Sequence, residues 1–465
     1  MQIQFLGANR QVTGSRHVLR TERRTIMIDC GMFQEREHLS RNWDPSPVPP
    51  GDIDALLLTH AHLDHCGLIP RFVNEGYAGP ILATPATIDL AKIVLEDSAR
   101  IHVEDASYKK KRHEREKRKG PHPELPLYTP SDAQAALKLF KEVEYDTPIQ
   151  LGDGIEARYH DAGHILGSAL IELFVSEGAR TNRIVFSGDL GHDDHPLMRD
   201  PHPINRADYA IMESTYGDRD HPRAPDTLKA LASIVNETVE RKGNLVIPTF
   251  AIDRAQELLY LFSELVRQDM IPRLTIFLDS PMAINTTAIY ENHPHLFNDE
   301  ARALFREGRH PFQFPGLHFV QSADESMAIN AIRGSCVILA GSGMCTGGRI
   351  KHHLRNNIIH DESTILFVGY QARGTLGRQI VQGDPTVRIH GKPYNVNAQV
   401  RELHGLSAHA DRSGLMDWLA RFEEPPDKLF LTHGEEEAAI RLKQHVEEQL
   451  GWRVDVPEFG AKIDL

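Results

Sequence analysis

Short apolar runs punctuated by Gly and Asp turns fill the chain from Met1 to about Ser214: IQFLG, HVLRT, TIMID, ALLLTH, PILAT, IEARYH, SALIELFV, RIVFSGD and YAIMES. At this density they predict a sheet-rich domain with few long helices. From about Tyr216 the pattern changes. Asp226 to Arg241 reads as an amphipathic helix with Leu228, Leu231, Val235 and Val239 on one face, Asp226 as its N-cap and Gly243 as its stop. Strands and helices then alternate: LVIPTF, a helix from Arg254 to Arg267, LTIFLDS, a helix after Pro281, LHFVQ, a helix near Ala328, CVILAGS and TILFVGYQ. Such alternation predicts a parallel sheet covered by helices, a second and separate α/β unit. After about Pro385 the strands TVRIH, KPYNVNAQVREL and KLFLTHG return, followed by a helix from Glu436 to Leu450.

The 465 residues suggest two or three domains at roughly 150 residues each, and 40% hydrophobic content excludes a disordered or collagen-like chain. Lys+Arg 52 against Asp+Glu 65 gives a net charge of -13, which argues against a uniformly basic coat for nucleic acid but leaves room for a local basic cleft. Between Lys109 and Lys119 there are eight Lys/Arg and two Glu. This stretch reads as the solvated end of a helix that begins near Ala86, with an RNA-contacting arm as the sharper alternative. Cys30, Cys66, Cys336 and Cys345 form no CxxC pair, so buried thiols in a reducing compartment are expected rather than disulfides. Neither a leader-like N-terminus nor a run of about 18 apolar residues occurs, and a soluble cytoplasmic protein without membrane partners is expected. A homo-oligomer is compatible with the sequence.

The densest chemistry follows the strand ALLLT, as His60-Ala-His62-Leu-Asp64-His65. A loop leaving a strand can aim His60 and His62 at one point, while Asp64 and His65 on the next turn face a second point nearby. Other donors follow apolar runs in the same way: Asp29 after TIMI, Asp189 after RIVFSG, Glu213 after YAIM and His433 after KLFLT, and His164 in DAGHILGS completes the set. Strand ends suit this purpose because the sheet pins the backbone while the loop presents the side chain. The donors sort into His60, His62 and His164 for one metal and Asp64, His65 and His433 for another, with Asp189 able to bridge. Imidazole and carboxylate without thiolate suit Zn²⁺, and Mn²⁺ or Fe²⁺ suit the same donors. Two ions roughly 3.5–4 Å apart would bring a shared water's pKa near neutrality and polarise the oxygen it attacks, a route to phosphodiester hydrolysis.

These residues in this order resemble the metallo-β-lactamase superfamily, and MESTYGDRDH, IPTFAIDRAQELL, LDSPMA, GSGMCTGGR, GYQARGTLGR, LSAHAD and THGE resemble the motif series of its β-CASP nucleases. The resemblance spans nearly the whole chain. It implies an αββα metallo-β-lactamase sandwich (1–215 and 386–465) with an inserted α/β β-CASP domain (216–385) that caps the metal site and leaves a cleft for one strand. It further implies Asp29 as the aspartate orienting the ligands, and zinc over di-iron because His62 stands where the iron branch has Glu. Glu213, His409 and His433 match the family's motif A acid, motif B histidine and motif C histidine, and His at the last position implies RNA rather than DNA. Asp64, Glu213 and His409 are then the expected catalytic groups, with His409 donating a proton to the leaving oxygen or binding the scissile phosphate. Ser342, Gly343, Arg349, Arg373, Arg378, Ser407 and Arg254 are candidates for the RNA backbone, though Asp253 stands where the family often has glycine. No separate RNA-binding module is expected. The activity implied is a zinc-dependent ribonuclease on single-stranded RNA with two Zn²⁺ per chain. The alternatives are an inactive RNA-binding subunit, a DNA-acting nuclease of the same family and a small-molecule hydrolase.

Overall fold

Two seven-stranded sheets, a six-stranded sheet and a two-stranded ribbon carry the described part of the chain. The structure, a computed structural model, describes residues 1–119, 124–178, 180–193, 195–221, 227–332, 334–369, 371–372 and 374–465. These divide into two compact units, one of Met1–His195, Arg199–Asp220 and His409–Leu465, the other of Pro196–Met198 and His221–Ala408.

In the first unit one sheet runs in the order Lys462–Asp464, Gln2–Gly7, Arg16–Arg20, Thr25–Ile28, Ala55–Leu57, Ile81–Ala83 and Phe140–Glu142. The other runs Val454–Asp455, Lys428–Thr432, Tyr209–Glu213, Arg180–Phe186, Ala169–Glu177, Ile155–Asp161 and Ile149–Gly152. Period-two alternation sorts the side chains of this second sheet. Ile171, Ile184, Phe186, Ile211 and Phe430 pack against Ile3, Phe5, Leu19, Ile26 and Ile28 of the first sheet. Their neighbours Leu170, Val185, Met212, Leu429 and Leu431 face Leu415, Trp418, Leu442 and Val446 of the helices Arg412–Leu419 and Glu436–Leu450. Burial on both faces is why these strands read as continuous apolar runs. The layering is the expected αββα sandwich.

The helix expected near Ala86 spans Pro85–Glu116, with Pro at its first turn and Thr84 accepting from the Thr87 amide as its cap. Its buried positions cluster between Ala86 and Ala99, and beyond Ala106 it is solvated, which places most of the basic stretch on an exposed helical end. None of the described helices is long and apolar enough to cross a membrane.

The second unit is built on an all-parallel sheet in the order Leu317–Phe319, Thr275–Asp279, Cys336–Ala340, Leu245–Pro248, Thr364–Val368 and Gln399–Leu403. Val246, Ile338, Ile365 and Phe367 bury one of its faces against Ile350, Leu354, Ile358 and Ile380. The helices Arg254–Arg267 and, in the first unit, Glu436–Leu450 fall on the expected residues. The helix expected from Asp226 is described from Thr227 to Glu240, and the Asp226 cap lies outside the described residues. Two features differ from the sequence reading. Gln399–Leu403 joins this second sheet, beside Thr364–Val368, so the return to the first unit falls at His409 rather than near 386. Alternation marks a strand without naming the sheet it joins. The strands Phe140–Glu142 and Ile149–Gly152 and the helices Asp299–Arg306, Ile350–Asn357, Leu376–Val381 and Arg412–Leu419 are unannounced, because three to eight residues are too few to establish a period.

Asp279 anchors the carboxyl end of its strand. Fully buried, it accepts from Ser326 Oγ, from His353 Nε2 at 2.6 Å and from Arg349 Nη1 at 2.6 Å. Burial alone would raise its pKa, but the His353, Ser326 and Arg349 donors outweigh that and hold the carboxyl below its ordinary range. Asp279→Asn, which leaves the Arg349 charge without its partner, is expected to lower unfolding stability by about 3 kcal/mol in urea melts at neutral pH. Because the folded-state pKa is depressed, this contribution is complete above the unfolded value of about 4 and is lost as pH falls through the folded one. The gap between wild type and variant should therefore close in acid.

Candidate metal centre

The expected donors leave the carboxyl ends of strands in both sheets of the first unit. After Ala55–Leu57 the chain extends through His60 and His62 and turns into the short helix Leu63–Cys66, which carries Asp64 and His65. The parallel neighbour Thr25–Ile28 ends at Asp29. In the facing sheet the parallel strands Arg180–Phe186, Tyr209–Glu213 and Lys428–Thr432 deliver Asp189, Glu213 and His433. Asp29 and His433 take left-handed backbone angles (φ 58 and 51), sparsely populated for non-glycine residues, as the chain turns off its strand. His164 sits in the turn between Ile155–Asp161 and Ala169–Glu177, where its amide donates to Ser168 Oγ at 3.1 Å. Thr84 and Thr87 at the start of the long helix both donate to the Gly167 carbonyl, which pins that turn.

The donor atoms of His60, His62, His164 and Asp189 lie within 4.8 Å of one another, as do those of Asp64, His65 and His433. In the first group His60 Nε2 is 3.0 Å and His164 Nε2 3.2 Å from His62 Nδ1, and the same two Nε2 atoms stand 3.4 and 3.5 Å from Asp189 Oδ2. In the second, His65 Nε2 is 3.0 Å from His433 Nε2, and His433 Nε2 is 3.5 Å from Asp64 Oδ2. Asp189 Oδ1 faces both rings, at 3.2 Å from His65 and 3.5 Å from His433. Tetrahedral zinc with bonds of 2.0–2.1 Å has ligand–ligand edges of roughly 3.3 Å. The observed spacings bracket that value, so both groups fit a zinc-sized cation and Asp189 reaches each with a different oxygen.

The electrostatics divide the donors. Burial, reinforced by His60, pushes His62 down to about 3, and burial likewise lowers His60 and His164, so these three rings are neutral and ready to bind a cation. Burial also works against charge on His65 and His433, but Asp189 and Asp29 raise the first and Asp189 and Asp64 raise the second. Despite burial, His433 keeps Asp64 ionised, and the surrounding histidines do the same for Asp189.

A supporting shell fixes the rings. Asp29 Oδ2 accepts from His65 Nδ1 at 2.7 Å and from Ser15 Oγ at 3.2 Å, while its Oδ1 takes the Thr59 amide at 2.8 Å. Thr59 Oγ1 lies 3.1 Å from His60 Nδ1 and Thr215 Oγ1 3.1 Å from His433 Nδ1. Each contact occupies Nδ1 and turns Nε2 toward the centre. Ser15, Thr59 and Thr215 lie outside the sequence reading, because nothing in GSRH, LLLTH or MESTY sets their hydroxyls apart from those of other strand residues.

A third group, Asp189, Glu213 and His409, adjoins the first. His409 Nδ1 is 3.0 and 3.1 Å from the two Glu213 oxygens, and its Nε2 lies 3.9 Å from Asp189 Oδ2. The Leu190 amide also donates to Glu213 Oε1, at 2.6 Å. Burial disfavours charge on His409, but Glu213 and Asp189 prevail and lift its pKa to about 9. Glu213 thereby fixes this imidazole beside the donor cluster.

The candidates in the second unit have local occupations. Arg349 is held by Asp279 and by the Val320 and Gln321 carbonyls, and Arg254, 7% exposed, pairs with Glu257. Asp253 precedes it in a γ-turn, with φ 66 and the Arg254 amide donating to the Ile252 carbonyl at 2.9 Å, a backbone that glycine adopts with less strain. Ser342 Oγ accepts from the amides of Thr346 and Gly347, ordering the loop after Cys336–Ala340, and a Cβ at Gly343 would strike the Phe250 ring. Arg378 lies in the helix Leu376–Val381, which docks on that loop through Gly377 N and the Met344 carbonyl. Ser407 is half-buried beyond Gln399–Leu403, and Arg373 lies outside the described residues.

Sandwich, donor set and supporting shell together define a metallo-hydrolase. The sequence matches the metallo-beta-lactamase superfamily over residues 14–240, the Beta-Casp domain over 255–380 and the Zn-dependent metallo-hydrolase RNA specificity domain over 393–457. It is 39% identical to "Ribonuclease TTHA0252" of Thermus thermophilus, covering 100% of both chains. To "Transcription termination factor FttA" of Methanosarcina mazei it is 33% identical, over 97% of this chain and 69% of that one. The chain belongs to the β-CASP family of the metallo-β-lactamase superfamily. A crystal structure of an Enterococcus faecalis protein of unknown function shares the fold, with a TM-score of 0.58 at 15% identity over 100% of this chain and 99% of that one.

Asp29→Ala leaves every donor in place but frees the His65 ring. Zinc affinity, measured by competition with a chromophoric chelator, is expected to fall about 10- to 100-fold.

Proposed function

We propose that the protein is a zinc-dependent ribonuclease that hydrolyses phosphodiester bonds of single-stranded RNA. In this reading His60, His62 and His164 hold one Zn²⁺, Asp64, His65 and His433 hold a second, and Asp189 is shared; Mn²⁺ suits the same donors. The observation that carries the reading is the pair of adjoining buried donor groups with His409 held against Glu213 beside them. The matched RNA specificity domain and the relatives named as a ribonuclease and as transcription termination factors support RNA as the substrate. Four buried free thiols support a reducing, cytoplasmic setting.

Bound divalent cations supply Lewis acidity, polarising the attacked phosphoryl group and activating water. The protein's own part is positional. Asp29, Thr59 and Thr215 fix the ring orientations, and Glu213 holds Nδ1–H of His409 so that Nε2–H points inward and can pass to the leaving oxygen.

Removing metal with a chelator, or the substitution His62→Ala, is expected to abolish cleavage of an end-labelled single-stranded RNA, whether the cutting is endonucleolytic or proceeds from the 5′ end. His409→Ala should lower kcat by about 10²- to 10⁴-fold while zinc content, read by atomic absorption, stays at wild-type level. A fully zinc-loaded wild type that cuts no RNA would indicate a binding subunit, and equal cutting of DNA of the same sequence would remove the RNA assignment.

The exposed helical end from Lys109 onward is included as an RNA-contacting arm. Replacing Lys109, Lys110 and Lys111 by Ala should weaken RNA binding and reduce the slope of log affinity against log salt by about 2.

A further inference from the structure

Apart from the metal centre, the first unit contains a cavity of about 190 Å³ where Arg16, the loop from Arg41 to Pro47 and the helix Ile69–Asn74 meet. Its charged lining is unusual. Arg16 is only 6% exposed, its Nε is sealed from solvent, and its guanidinium makes no hydrogen bond or ion pair to any described residue. Arg71 spends Nε on Glu75 at 2.7 Å and Nη2 on the Trp43 and Asp44 carbonyls, leaving Nη1 buried without a partner among the described residues. Ser46 Oγ on the same wall is equally unpartnered. Arg41 adds a third guanidinium, lying 4.1 Å from the centre of the Phe459 ring.

The lining carboxylates do not answer Arg16. Glu75 is taken by Arg71, and Asp44 is exposed. A buried guanidinium with no counter-charge is costly, and an apolar side chain of the same length would be cheaper at a merely structural position. Planar guanidinium forks match the oxygens of phosphate and carboxylate, and the rest of the wall is mainly apolar, with Leu6, Phe33 and Phe72 among its residues. The cavity is large enough for a compact anion and too small for an oligonucleotide.

We infer that this cavity is a binding site for a small oxyanion, a phosphate or carboxylate group held by Arg16 and Arg71 and distinct from the donor clusters at the metal centre. The site is independent of the ribonuclease reading. Titration calorimetry on the metal-loaded protein with inorganic phosphate and, separately, with acetate tests it and tells the two sources of the group apart. Tighter phosphate binding assigns a phosphoryl ligand, and tighter acetate binding a carboxylate. Arg16→Met is expected to weaken the preferred anion about tenfold or more. Without anion its melting temperature should equal or exceed that of wild type, because an uncompensated buried charge is gone. Ser46→Met, which fills the cavity and leaves the guanidinium in place, should block the same binding even if Arg16→Met fails to fold. Binding that survives both substitutions, or that disappears in His62→Ala instead, belongs to the metal centre and overturns the inference. So does the absence of any binding at millimolar anion, or an anion-free Arg16→Met protein that folds but melts below wild type.

Discussion

Asp189 is the group on which the rest of the site depends. Its carboxylate is 2% exposed, and its two oxygens face opposite groups of histidines, Oδ2 toward His60 and His164 and Oδ1 toward His65 and His433. Oδ1 accepts no hydrogen bond from a described residue. Asp29 and Glu213, equally buried, are treated differently: Asp29 is surrounded by Thr59, His65 and Ser15, and Glu213 by the Leu190 amide and His409. Two carboxylates are satisfied by protein donors and the third is left to a cation. That asymmetry separates the groups that orient from the group that binds, since a carboxylate already saturated with protein donors has little left to offer a metal.

Holding such a set together requires a backbone that does not relax away from it. The sandwich supplies this by burying Ile184, Phe186, Ile211 and Phe430 on one face of a sheet and Val185, Met212 and Leu431 on the other. A strand packed on both faces cannot slip by a residue without exchanging two sets of side chains that are fitted to different neighbours. Asp189, Glu213 and His433 thus inherit their positions from register, and the left-handed turns at Asp29 and His433 follow strands that are buried and paired in their sheets. Ligand binding would then favour the folded state by mass action.

Much of this was legible in the chain because the donors are tied to patterns. HxHxDH is contiguous, and Asp29, Asp189, Glu213 and His433 each close an apolar run, so the pattern marks them as residues at strand ends. The supporting hydroxyls were not legible. A threonine beside a histidine looks like any strand residue until the acceptor opposite it is known. The same holds for Arg349, whose partner Asp279 is 70 residues away, and for Gln399–Leu403, whose alternation is satisfied by either sheet. Arg254 is a different case: Glu257 lies three positions on along one helix, a spacing at which side chains meet, and the ion pair was readable in sequence.

Charge matching also distinguishes arginines that look alike in sequence. Arg254 and Arg349 are drawn into the second unit by carboxylates at 0% exposure, so each is half of a structural pair, and an RNA phosphate competing for either would have to displace a partner already in contact. Arg16 is buried to a similar degree as Arg254 with no such partner among the described residues. A buried guanidinium without a counter-charge is costly unless an anion enters to meet it. Asp189 and Arg16 thus differ: the carboxylate faces four histidines that share its charge, whereas the guanidinium calls for an anion in the cavity beside the helix Ile69–Asn74.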